Sequence, residues 1–125
     1  MTRGGMAMIT RVDVSKSSCA ATSFGGLVFL AGHAAEATKG RSVRRQTEEV
    51  LTRIDRTLAT LGLSKAAILG AQIYIARDDM WAEMNEAWDA WVPTGCPAAR
   101  ACVEAGLADG VFVEISVTAA QLGAE

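Results

Sequence analysis

The stretch GCPAARACVEAGLADGVFVEISVTAA, Gly95 to Ala120, decides how this chain is read. After Pro97 it alternates like a strand, with Ala101, Val103 and Ala105 set against Cys102. A second alternating run covers Val111 to Val117. Each run carries one conspicuous charge, Arg100 and Glu114. Between them, Asp109-Gly110 is a two-residue hairpin signal. With that turn Ala108 faces Val111 and Arg100 pairs with Ala119. Faces alternate along a strand, so Arg100 then sides with Val113 and not with Glu114. The two charges meet only through a register-shifting bulge, between strands that are not neighbours, or across subunits. A guanidinium fork holds carboxylates in two parallel hydrogen bonds, and a glutamate takes or delivers a proton or holds a water. These residue types suit a structural ion pair as well as a site.

Working outward, ILGAQIYIA (Ile68–Ala76) reads as a strand rich in β-formers. Asp78-Asp79 offers an N-cap for MWAEMNEAWDAWV, where Met80, Trp81, Met84, Trp88 and Trp91 form one apolar stripe ended by Pro93 and Gly95. That spacing reads as core or interface rather than as an aromatic cage. Further back, Val43, Val50, Leu51, Ile54, Leu58 and Leu61 line one face of a helix of about five turns. Ser42 is its N-cap and Gly62 its terminator. The local basic cluster Arg41, Arg44 and Arg45 belongs to that helix's solvated first turn. Leu27–Ala31, bounded by Gly25-Gly26 and Gly32, reads as a buried strand, and Met8–Val14 as a half-buried one. Two amphipathic helices cover one side of a sheet. Strands that stay apolar on the other side require a partner. Val113 and Val117 are the candidate contact positions on that second face.

The chain has 125 residues, half of them hydrophobic, which predicts one globular domain. Twelve basic and fourteen acidic residues leave a formal net charge of -2, so nucleic acid is not an expected partner. Three irregularly spaced cysteines and a single His33 argue against a disulfide framework or a metal site, and free thiols fit a cytoplasmic location. MTRGGMAMITRVDV lacks the apolar core of a signal peptide, and no run reaches the roughly 18 apolar residues of a membrane span.

PAARACVEAGL followed by VEISVTAA resembles the C-terminal signature of the RidA family, also called YjgF or reactive intermediate deaminase A. GGLVFLAGH and AQIYIARDDMWAEMNEAWDAW resemble further segments of that family in the same order, and NEAWDAWV is similar to a bacterial RidA-like subgroup. The resemblance runs from about Ser17 to Ala120. It implies a single RidA-like domain over 1–125 with a flexible start at 1–7. It implies an α+β, chorismate-mutase-like fold, with two helices on one face of a mixed sheet, and a homotrimeric barrel with clefts between subunits. It also implies a deaminase of 2-imino acids that needs no metal or organic cofactor. In that reading Arg100 binds the substrate carboxylate, and Glu114 with backbone groups at Ala31 and Gly32 holds the attacking water. His33 lies at the cleft rim, and Cys102 matches a cysteine that often follows the arginine. The alternative is a trimer of the same fold that binds small carboxylates without turnover. Ser18 and Ala31, where the family often has tyrosine and serine, motivate it, as does His33 in place of glutamine. Ribonuclease, translation-inhibitor or holdase activity, attributed to some relatives, has little support in an acidic chain without basic-aromatic interleaving.

Overall fold

The computed structural model describes residues 8–121; the expected flexible start at 1–7 lies outside them. Among the described residues, nine strands and α-helices follow in order: β1 (Thr10–Val12), β2 (Ala21–Phe24), β3 (Leu27–Leu30), β4 (His33–Ala34), α1 (Val43–Thr60), β5 (Ile68–Ile75), α2 (Trp81–Trp91), β6 (Ala99–Glu104) and β7 (Val113–Ala120). The strands form one mixed sheet in the order β1-β2-β3-β7-β5-β6, with β4 also pairing with β7. Every pairing is antiparallel except β5 with β6.

The central strand β7 shows why the sheet has a preferred side. Val113, Ile115, Val117 and Ala119 are buried, while Glu114, Ser116, Thr118 and Ala120 are only half-buried. Strand side chains alternate between faces, so the first set points at the helices and the second away. The helices supply the other half of the core through Val50, Leu51, Ile54, Leu58, Met84 and Trp88. Full burial of each such side chain contributes about 1.5–3 kcal/mol.

α1 begins and ends where its sequence says it should. Ser42 accepts a hydrogen bond from the Arg45 N–H at 3.2 Å. At the far end Gly62 takes φ 75°, and Leu63 N–H donates to the Leu58 carbonyl at 2.8 Å, which closes the helix. The gap in its apolar stripe is filled by Gln46 and Thr47, both fully buried. Thr47 donates to the Val43 carbonyl at 2.8 Å. Gln46 donates to the Gly110 carbonyl at 3.0 Å and accepts from the Phe112 N–H at 2.8 Å.

Those Gln46 bonds bear on the expected hairpin. Gly110 does turn the chain, at φ 78°, and Val111 N–H donates to the Ala108 carbonyl. Yet β6 and β7 are not neighbours, because β5 lies between them. Arg100 stands opposite Ala71, not Ala119. The β5–α2–β6 crossover places β6 parallel on the outer side of β5. The following loop then crosses the end of β5, with Ala105 N–H on the Ile75 carbonyl at 2.9 Å and Ala76 N–H on the Phe112 carbonyl at 3.0 Å.

Two further expectations are corrected. Asp78 and Asp79 do not cap α2; they lie in a 3₁₀ turn, Asp78–Met80, that leads into it. Val113 and Val117 do not lie on the outer face, being 0% and 2% exposed beneath the helices. The outer face is apolar mainly toward β2 and β3, where Phe24, Leu27 and Phe29 are exposed, and at Val103 on β6. Gln72, Tyr74, Glu114, Ser116 and Thr118 make its middle polar. No helix among the described residues is long and apolar enough to cross a membrane.

Candidate functional site

Arg100 sits on the helix side of the sheet, at the edge strand β6. It shares that side with Ala71, its partner on β5. About two turns of α2 receive its head group. Nη2 donates to Asn85 Oδ1 at 2.6 Å, and Nη1 lies 4.0 Å from Met84 Sδ. The guanidinium carbon is 5.3 Å from the Trp88 ring centroid and 6.0 Å from that of Trp81. Ring faces attract a cation, so these indoles orient the guanidinium as well as covering its stem. Residues 81, 84, 85 and 88 follow helical spacing and present one surface to the start of β6. An arginine has five N–H donors. Asn85 takes one, and the side chain remains exposed, so donors are left for a bound carboxylate.

Glu114 lies on the opposite face. It stands opposite Tyr74 on β5, and Arg100 stands opposite Ala71. Positions 71 and 74 are three apart and so point to opposite sides. On the other flank of β7, Glu114 pairs with Ala34 of β4. Its carboxylate occupies the space where a side chain on Gly32 would begin, with Cδ 3.1 Å and Cγ 3.3 Å from that Cβ position. Gly32 is therefore required for close approach, and the carboxylate is packed against its backbone. Arg100 and Glu114 do not meet within one chain.

The neighbouring residues divide in the same way. Ala31 N–H donates to the Ala20 carbonyl at 2.9 Å, and its carbonyl accepts from His33 Nδ1 at 2.7 Å. His33 does not reach a cleft rim in this chain. Its side is that of Ile115, it is 8% exposed, and Nε2 lies 3.0 Å from the Thr57 hydroxyl. Burial lowers its pKa, against the Ala31 carbonyl, so the ring is held neutral. Cys102 follows Arg100 on the helix side, opposite Ile73. Burial pushes its thiol up, against the pull of the Arg100 guanidinium; the protonated form is favoured and the group is not an activated nucleophile. Ser18 lies in the exposed turn between β1 and β2, where Ser15 Oγ bonds both its N–H and its carbonyl at 3.2 Å.

Reading the sequence missed the support of Arg100 by Asn85, Met84, Trp81 and Trp88. The signal is the helical spacing of α2, which reads as core or interface; Met84 and Trp88 are buried in the core, and Trp81 is 45% exposed.

A small α+β domain with an edge arginine stacked on a helix, and a glutamate packed on the Gly32 backbone behind it, is the class that fold and site define. The chain belongs to the RidA/YjgF family: residues 8–121 match the family described as Endoribonuclease L-PSP. A RutC family protein of Haemophilus ducreyi is 38% identical over 114 residues, 90% of this chain and 97% of the relative. One from Haemophilus influenzae is 45% identical over 94 residues, 74% of this chain and 81% of that one. Among solved structures, NMB1025 of Neisseria meningitidis, a member of the YjgF family, superposes with a TM-score of 0.89 at 42% identity, covering 94% of this chain and 98% of its own. Rv2704 of Mycobacterium tuberculosis gives 0.75 at 27% identity, covering 90% and 99%.

Proposed function

We propose that the protein hydrolyses reactive 2-imino acids, or their enamine tautomers, to 2-oxo acids and ammonia, in clefts formed between copies of the chain. One observation carries this reading: an oriented, partly unsatisfied guanidinium lies on one face, and a carboxylate packed against the Gly32 backbone lies on the other. Each is half of a site for a small carboxylate with an electrophilic carbon. A homotrimer, with Arg100 of one subunit set against Glu114 and Gly32 of the next, supplies both halves. The exposed Phe24, Leu27 and Phe29 support such packing, since burying apolar surface drives association.

In this cleft Arg100 holds the substrate carboxylate. Glu114 accepts a proton from water as the oxygen bonds to the C=N carbon. That proton passes to nitrogen to give the carbinolamine. Glu114 then takes the hydroxyl proton and delivers it to the amino nitrogen, and the C–N bond breaks as the C=O bond forms, so that ammonia leaves. Proton transfer by a positioned carboxylate contributes about 10²–10⁴-fold. These steps call on no metal and no organic cofactor. The protein would work in the cytoplasm, where such intermediates arise. The test is to generate 2-iminopropionate with an amino-acid oxidase and follow its loss. Acceleration that disappears in Arg100→Ala supports the proposal; no acceleration at high protein concentration removes it.

A binding trimer without turnover is the second reading. Ser18, tied to its own turn, and Ala31, with no hydroxyl, favour it. Thermal stabilisation by pyruvate without imine hydrolysis would select it. The family description names an endoribonuclease, but a net charge of -2, and α1 arginines interleaved with Glu48 and Glu49, make a poor surface for RNA.

A further inference from the structure

Tyr74 stands beside Glu114 on the outer face of the sheet, and the hydrolysis steps leave it without a role. Strand β5 carries it between β7 and β6. The register sets it opposite Glu114 on one flank and opposite Val103 on the other. Ile73 and Ile75, its neighbours along the strand, are 0% and 1% exposed in the core. The pleat therefore points Tyr74 away from the helices, to the side that Glu114 occupies. Side chains directly opposite in an antiparallel pair have Cβ atoms about 4.5–5.5 Å apart. Both residues are half-buried.

The two do not satisfy each other. Glu114 leans toward Gly32, where its carboxylate fills the space in which a side chain on that glycine would begin. Gly32 leads into β4, which pairs with β7 on the flank opposite β5. Among the described residues, neither the Tyr74 hydroxyl nor the Glu114 carboxylate has a hydrogen-bond partner. Gln72, diagonal to Glu114 on the same face, already donates to the Ala101 carbonyl at 3.4 Å. Polar groups withdrawn from water are normally paired. A donor and an acceptor left open side by side mark the place of a third polar atom between them.

We propose that the Tyr74 hydroxyl is a further catalytic group: it donates a hydrogen bond to the oxygen that adds to the imine carbon and becomes the carbonyl of the 2-oxo acid. This rests on the imine-hydrolysis reading. Water bonds to carbon through one lone pair and accepts from Tyr74 on the other. Glu114 removes its two protons in turn, and both go to nitrogen, which leaves as ammonia. Tyr74 transfers no proton. Its hydrogen bond strengthens as the oxygen gains negative charge on losing the hydroxyl proton, which is when a fixed donor accelerates the reaction most.

Calorimetric titration of the full chain with pyruvate, and with propionate, which keeps the carboxylate but lacks the 2-oxo oxygen, tests the contact. The unmodified protein binds pyruvate about threefold to tenfold more tightly than propionate, the effect of one neutral hydrogen bond. Tyr74→Phe removes only the hydroxyl, so the preference for pyruvate disappears while propionate affinity stays within about twofold. Arg100→Ala weakens both. In the imine assay Tyr74→Phe lowers kcat about 10²-fold with KM little changed, as loss of a donor to the developing oxyanion requires. Equal affinity of the unmodified protein for the two acids, or a preference that survives in Tyr74→Phe, overturns the proposal. An equal loss for both acids does so too, because it makes Tyr74 a structural support. Undiminished turnover in Tyr74→Phe overturns it and leaves the imine reading standing. No turnover by the unmodified protein removes the imine reading, and the pyruvate–propionate comparison then still decides whether Tyr74 contacts the ligand.

Discussion

Gly32→Ala separates catalysis from folding at the Glu114 face. Gly32 does not have positive φ, so alanine costs no backbone strain there. Its new methyl group would overlap Glu114 Oε2 and lie 3.1 Å and 3.3 Å from Cδ and Cγ. The obstacle is the end of a flexible side chain, not backbone. The glutamate therefore swings aside, and an off-rotamer torsion costs about 0.5–1.5 kcal/mol. Loss of glycine's freedom in the unfolded chain returns about 0.4–1 kcal/mol. Stability should change by no more than about 1 kcal/mol, read as the midpoint of urea unfolding at fixed protein concentration. Activity should respond differently. Clearing a methyl group moves the carboxylate oxygen by about 1 Å or more, and a misplacement of that size costs about 10²-fold in rate. Imine loss is followed with the coupled oxidase assay, and pyruvate binding by thermal shift. Normal folding, retained pyruvate binding and a loss of about 10²-fold are expected. A variant that folds and keeps wild-type turnover would refute the assignment of Glu114 as the water-activating group.

Arg100→Lys keeps the charge but loses the planar fork and its stacking on Trp88. Pyruvate affinity should fall about tenfold or more, with KM rising further than kcat falls, and unchanged KM would contradict the clamp. Phe29→Glu puts a charge on the exposed outer face; light scattering should show monomers and the imine assay little activity, whereas an intact oligomer would place the interface elsewhere. Burial opposes ionisation of Glu49, but the Thr38 hydroxyl and the loop N–H groups outweigh it and hold the carboxyl at about 2 against an ordinary 4.5. A depressed carboxyl stabilises the fold fully above 4.5 and loses that contribution as pH falls toward 2. Glu49→Gln should therefore cost about 1–2 kcal/mol at pH 7 after allowance for solvent screening. The deficit should vanish in acid, and a deficit that persists unchanged at low pH would show that the carboxylate charge is not its source.

Sequence by itself determined the elements whose signals are local. The 3.6-residue stripe, Ser42 and Gly62 delimit α1 because caps and periodicity act within a few residues of chain. The alternating run Val111 to Val117 marks a strand for the same reason, although β7 itself runs from Val113 to Ala120 and buries only one of its faces. The alternating run that starts at Ala101 likewise lies in β6, which ends at Glu104, and the family wording singles out Arg100 and Glu114 as the candidates. Tertiary structure decided which strands are neighbours. Asp109-Gly110 carries a hairpin signal, yet the competing pairing of β6 with β5 prevails, and buried Gln46 pins the turn by bonding Gly110 and Phe112 from α1. No local rule contains a contact across 64 residues of chain. That choice puts Arg100 on the helix side, against Asn85 and Trp88, and leaves Glu114 behind the sheet against Gly32. It also turns the His33 ring inward onto Thr57. Side-chain direction within a strand follows from pairing and pleat together, and pairing is a contest among segments far apart in sequence.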